Sequence, residues 1–171
     1  MKMIATLFVV FAVAASALGE CPVPPTVPGA DIGKIAGRWY ETTDAFSHNS
    51  TFITFDFTPR EDGDFNLTIH APFSKHDEYV LAKRTDNQNV LNFIDVYHKT
   101  RYQVTFNIAD TDYDNYLVAY TCLVYSSHSA LDLPMILSRT KTMSAEKYAK
   151  LSDLVDNEIG VSRDKIEPVI H

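Results

Sequence analysis

From residue 51 to residue 140 apolar side chains return at every second position, in short runs broken by polar turns. In 51–58, Ile53, Phe55 and Phe57 share one face, and Phe52, Thr54 and Asp56 share the other. In the next run Phe65, Leu67 and Ile69 face away from Asn66, Thr68 and His70. A period of two marks a half-buried antiparallel strand, and Asp62-Gly63-Asp64 between these runs is hairpin chemistry. Further strands are predicted over 79–84 and 90–97, separated by the polar turn 86–89. Another spans 101–108, where Tyr102, Val104 and Phe106 oppose Arg101, Gln103 and Thr105. After Asn115, Leu117, Ala119 and Thr121 oppose Val118, Tyr120 and Cys122. A loop at 126–129 then leads into a last strand over 132–139, in which Pro134 is admissible only near the start or on an edge. At the other end, 31–36 predicts a short helical turn that plugs one barrel end, and the first strand starts at Trp39.

The period changes once. Ser144 is placed to cap a helix carrying Tyr148, Leu151, Leu154, Val155 and Ile159 at three-to-four residue spacing, ended by Gly160. Its apolar stripe needs a surface, and the outward Val118 and Tyr120 are the natural candidates. Many short strands plus one terminal helix predict an all-β fold: an eight-stranded antiparallel up-and-down barrel with one C-terminal α-helix packed outside. The interior of such a barrel holds one small ligand. The positions assigned to it are Ile53, Phe55, Phe57, Phe65, Leu67, Ile69, Tyr102, Val104, Phe106, Leu117, Ala119 and Thr121. None carries a charge, so an ionic head on a ligand is expected at the mouth, near Lys75 or Lys83.

Three motifs punctuate the pattern. Gly37-Arg38-Trp39-Tyr40 holds the only tryptophan, a side chain that buries about 150–250 Å² and wants a partner for its indole N–H. Thr111-Asp112-Tyr113, with Asn115-Tyr116 behind it, forms a polar turn between two apolar runs. Ser138-Arg139-Thr140 ends the last strand. Gly-x-Trp, Thr-Asp-Tyr and a late Arg, in that order and spanning the strands, resemble the lipocalin family, and most closely its apolipoprotein D, bilin-binding and insect-lipocalin branch. The resemblance implies that Trp39 stacks on Arg139 where the barrel closes, a cation–π contact with a structural role. It also implies that a bridge joins the N-terminal tail, here Cys21, to a late strand, here Cys122. Many relatives carry a second bridge, from the segment after the first strand to the C-terminal tail, and both of its halves are missing here.

The ends of the chain add compartment. Lys2, an apolar stretch over 4–15 and small residues over 15–19 predict a secretory signal peptide at 1–19, and a lipocalin domain at 20–171. A membrane anchor needs about 20 apolar residues without a cleavage signature. Removing Lys2 takes the net charge from −7 to −8, which argues against nucleic acid or anionic membrane as partners. Two cysteines in an exported chain predict one disulfide, whose loop of about a hundred residues is worth up to about 4.7 kcal/mol in the chain-entropy view. Asn49-Ser50-Thr51 and Asn66-Leu67-Thr68 are sequons, so both asparagines are expected to carry glycans outside the cell.

Catalytic chemistry is not apparent. Ser126, Ser127, Ser129 and His128 contain nucleophile and base types without an elbow motif or an orienting acid. A cysteine nucleophile, as in one prostaglandin-synthesising lipocalin, is excluded if both cysteines are bridged. His70, His76 and Asp77 are the nearest approach to a metal set and lack a third tight ligand, so no metal site is assigned. Resident cofactors are not expected, although a bound lipid or pigment is compatible with the barrel. The sequence therefore predicts a secreted carrier, not an enzyme, for a small hydrophobic ligand such as a fatty acid, pheromone-like lipid, sterol or retinoid. Two alternatives stand beside it: a bilin or carotenoid pigment carrier, and a secreted interaction or inhibitor protein whose barrel is filled by its own side chains. A homo-oligomer is left open.

Overall fold

The computed structural model describes residues 30–42, 52–72, 74–95, 103–126 and 129–159. Eight strands form one closed antiparallel barrel in chain order. They are β1 (Gly37–Glu41), β2 (Thr54–Pro59), β3 (Phe65–His70), β4 (Glu78–Arg84), β5 (Val90–Asp95), β6 (Gln103–Thr111), β7 (Tyr116–Ser126) and β8 (Ser129–Ser138). β8 returns to β1 through Tyr40↔Ser138 and Glu41↔Leu137. A 3-10 turn (Ile32–Ile35) precedes β1, while α1 (Ala145–Leu154) follows β8 and runs into a π turn (Val155–Ile159).

The sequence alternation becomes register. Phe55↔Ile69, Phe57↔Leu67 and Pro59↔Phe65 set the apolar faces of β2 and β3 side by side. The β2–β3 hairpin closes as expected, with Gly63 at φ 88° and the Arg60 amide donating to the Asp64 carbonyl at 2.9 Å. Asp31 caps the 3-10 turn by accepting from the Gly33 amide.

Two expectations need correction, and that for Pro134 is met by its edge alternative. β6 continues past 108 to Thr111, with a bulge between Ile108 and Asp110 that re-aims its end. The four-residue loop at 126–129 shrinks, because Ser126 pairs with Ser129; residues 127 and 128 lie outside the described ones. Pro134 sits in mid-strand, in register with Tyr120. It is tolerated because β1 pairs with β8 only at Ser138 and Leu137, so the first half of β8 is an edge on that side among the described residues.

Two apolar clusters follow. The inner one joins Ile32, Ile35 and Trp39 to Phe57, Phe65, Leu91, Phe106, Leu117 and Leu137. The outer one seals α1 to the barrel wall, Leu151 and Val155 against Ala109, Val118 and Ile136. Ser144 accepts from the Lys147 amide at 3.2 Å and starts α1 as expected. Val118 belongs to this seam, whereas the equally buried Tyr120 does not. Each fully buried Leu, Ile, Val or Phe among them contributes about 1.5–3 kcal/mol of burial.

Candidate functional site

The barrel has a floor and an upper lumen, and the three motifs build the floor. Trp39 is fully buried and donates its indole N–H to the Ile35 carbonyl at 2.8 Å. The Arg139 guanidinium lies 3.7 Å from the indole centroid. Its nitrogens donate to the carbonyls of Tyr113, Arg38 and Lys34, each at 3.1 Å. One side chain thus ties together the β6–β7 turn, β1 and the 3-10 turn. Burial lowers the Arg139 pKa, with Asp114 opposing. Gly37 is required here, since its φ is 98° and a Cβ would lie 3.2 Å from the Arg139 Nη1.

The Thr111-Asp112-Tyr113 turn is held from within. Thr111 Oγ1 accepts from the Tyr113 amide at 2.9 Å and donates to the Tyr116 carbonyl at 2.7 Å. Asp112 accepts from the amides of Asn115 and Tyr116 at 2.8 and 3.0 Å. Partial burial pushes the Asp112 carboxyl up, but these donors and the Asn115 side chain outweigh it and leave the pKa below the usual value. Tyr113 takes a positive φ of 63°, a conformation costing about 1 kcal/mol or more in a non-glycine residue. Its hydroxyl, accepting from the Asp31 amide at 2.7 Å, fixes it there. An open depression of about 570 Å³ beneath the floor is lined by Lys34, Asp112, Tyr113, Asp114 and Arg139. The Arg139 donors point at backbone carbonyls, so this surface is structural.

From the floor toward the mouth the inward faces change character. Phe57, Phe65, Leu67, Phe106, Leu117 and Ala119 are all essentially fully buried. Phe57 meets Phe65 and Phe106 at ring separations of 5.9 and 5.8 Å. These assigned lumen positions are packed against one another. Nearer the mouth, Ile53, Ile69, Val104 and Thr121 are only half-buried, and Phe55 retains 6% exposure. Tyr102 lies outside the described residues, as do Asn49 and Cys21.

Several wall residues escaped the sequence assignment. Val80 and Ala82 of β4, Leu91 and Phe93 of β5, Ile108, and Met135 and Leu137 of β8 belong to or pack on the inner cluster. Phe93 stacks on Phe106 at 5.1 Å. The alternation 80-82 and 91-93 carried the signal. Glu41 was also missed. It continues the inward parity of Gly37 and Trp39, pairs with Leu137, and is only 6% exposed. Asp95, half-buried and in register with Val80, adds a second inward carboxyl. Lys83 is a correction: it alternates outward beside Ala82, one residue from Arg84, which lies over the floor residue Phe65. It is therefore far from the mouth, whereas Lys75 is exposed in the β3–β4 connection at the mouth end.

His70 Nδ1 lies 2.7 Å from Asp77 Oδ1, an exposed pair. Among the described residues no group of three or more metal-ligating side chains assembles, and no helix is long and apolar enough to cross a membrane.

Comparison with known proteins places these features. Residues 36–170 match the lipocalin / cytosolic fatty-acid binding protein family. Mouse apolipoprotein D is 24% identical over 154 residues, covering 87% of this chain and 81% of its own. The bovine protein of the same name is 25% identical over 153 residues, covering 85% and 80%. Rat apolipoprotein D is 23% identical over 152 residues, with the same coverage.

Proposed function

Because the chain belongs to the lipocalin family, we propose that it is a secreted carrier, not an enzyme, which holds one small hydrophobic molecule in the upper lumen. The observation carrying this is the change along the inward faces. A floor packed without space gives way to half-buried Ile53, Ile69, Val80, Phe93 and Val104, an apolar wall with surface left for a guest. The name apolipoprotein borne by the relatives agrees with a lipid cargo.

Sterols, retinoids, pheromone-like lipids and long-chain fatty acids all suit an apolar wall of this kind, with the carboxylate of an acid set at the mouth.

The compartment belongs to the same proposal. The leader at 1–19 directs export, and Cys21 bridges Cys122. Supporting the bridge, Cys122 is fully buried and no described cysteine is free. Non-reducing peptide mapping tests it, and two alkylatable thiols would refute it.

The cargo is tested by organic extraction of the purified protein with mass spectrometry, followed by displacement of a fluorescent retinol or fatty-acid probe from the delipidated protein. Extracted lipid and saturable one-to-one displacement are expected. A colour and a tetrapyrrole or carotenoid mass would move the cargo to a pigment. No extractable molecule and no probe uptake would leave the filled-barrel protein, which the packing of the lower half already favours locally.

A further inference from the structure

Asn66 points outward from β3 and is exposed, while its neighbour Leu67 is buried in the inner cluster. The strand registers set Asn66 beside Leu81 and Leu81 beside Ile94, one straight row across the outer wall. Thr68, the third sequon residue, is in register with Tyr79. Tyr79 and Ile94 are the large hydrophobic side chains most exposed among the described residues, at 46% and 45%. The sequon therefore borders the outward patch where, among the described residues, large apolar side chains meet solvent. Adjacent strands lie about 4.8 Å apart, so Leu81 is one strand spacing from Asn66 and Ile94 two. The side-chain geometry suits attachment. The Arg60 guanidinium donates to Asn66 Oδ1 at 3.1 Å, which leaves Nδ2, the nitrogen that takes a glycan, without a protein partner among the described residues.

We propose that Asn66 carries an N-linked glycan whose first sugars lie over Leu81 and Ile94 and shield this patch from other molecules. An exposed apolar wall of a sheet invites self-association, and a covalently tethered, hydrated chain covers it without altering the lumen. The proposal rests on export of the chain, as inferred above, and goes beyond it in giving the Asn66 glycan a task that a glycan at Asn49 does not share.

The test expresses the full chain in secreting animal cells, once with its own residues 1–19 and once with a proven leader in their place. Glycopeptide mass spectrometry reads occupancy at Asn66. Folded protein from the medium is then compared before and after enzymatic glycan removal by hydrophobic-interaction chromatography and sedimentation. Occupied Asn66 is expected, with later elution and greater self-association once the sugar is removed. Thr68→Ala should reproduce that shift, Asn49→Gln should not, and Ile94→Thr in the sugar-free protein should reverse it. If Thr68→Ala fails to fold, enzymatic removal from the wild-type protein supplies the same comparison. An unmodified Asn66 in exported protein overturns the proposal, as does glycan removal that moves neither elution nor sedimentation. Retention of the chain with its own leader, beside export with the other, refutes the export reading alone, and the second product still decides the glycan.

Discussion

The floor of the barrel and its upper lumen are built on the same strands from the same alternating sequence, yet they differ in how their side chains are satisfied. At the floor the polar groups of Trp39, Arg139 and Asp112 find partners in the backbone. Trp39 binds Ile35, Arg139 binds three carbonyls, and Asp112 binds two amides. The apolar residues there leave no exposed surface. In the upper lumen the wall is half-buried and two carboxyls face inward. A region so closed can stabilise but has no room for a guest, and a region left partly open gives up stability for a binding surface. Substitutions should therefore separate into those that lower stability and those that change affinity.

The largest effect is expected at the floor. Trp39→Ala should destabilise by about 3–5 kcal/mol through cavity formation, read as a lower urea midpoint. Phe93→Ala, on the half-buried wall, should cost about 1–2 kcal/mol while weakening probe binding about tenfold. Equal stability losses at the two positions would erase the distinction.

Arg139→Ala should cost on the order of 1–3 kcal/mol, from the cation–π contact, the packing of its stem and its carbonyl hydrogen bonds. Its indole emission should shift to the red as Trp39 loses its cover. Arg139→Lys should recover little, because an ammonium cannot reproduce the planar fork that reaches three carbonyls. Unchanged melting and unchanged emission in the alanine variant would refute the anchoring role.

The smallest is a pH effect at the floor. The folded-state pKa of Asp112 lies below its usual value of 3.8, so its ionised form is favoured by folding. That contribution is fully present above about pH 4 and is lost as pH falls from there through the depressed folded value. Asp112→Asn keeps an acceptor for the turn but removes the titration. Its stability should fall less steeply below pH 4 than that of the wild type, as followed by urea unfolding at successive pH values.

The sequence by itself determined the barrel, the strand faces and the floor. Period-two alternation is a local property that survives whatever the strand meets next, which is why Phe55, Phe57, Phe65 and Leu67 were placed inward. Gly37, Trp39 and Arg139 could be read because their order and spacing along the strands resemble the lipocalin motifs, and the structure adds the positive φ that requires Gly37. Tertiary structure alone decided how far up the barrel the packing extends. Phe57 and Ile53 look alike as sequence, and only the ring contacts among Phe57, Phe65 and Phe106 separate a filled floor from an open wall. Closure likewise decided that Glu41 is buried, because a carboxyl two residues beyond Trp39 faces solvent or lumen according to what β8 brings opposite it. The same holds for Asn66, Leu81 and Ile94. They lie far apart along the chain, and the register of three strands, fixed by the buried faces they back onto, sets them in one row.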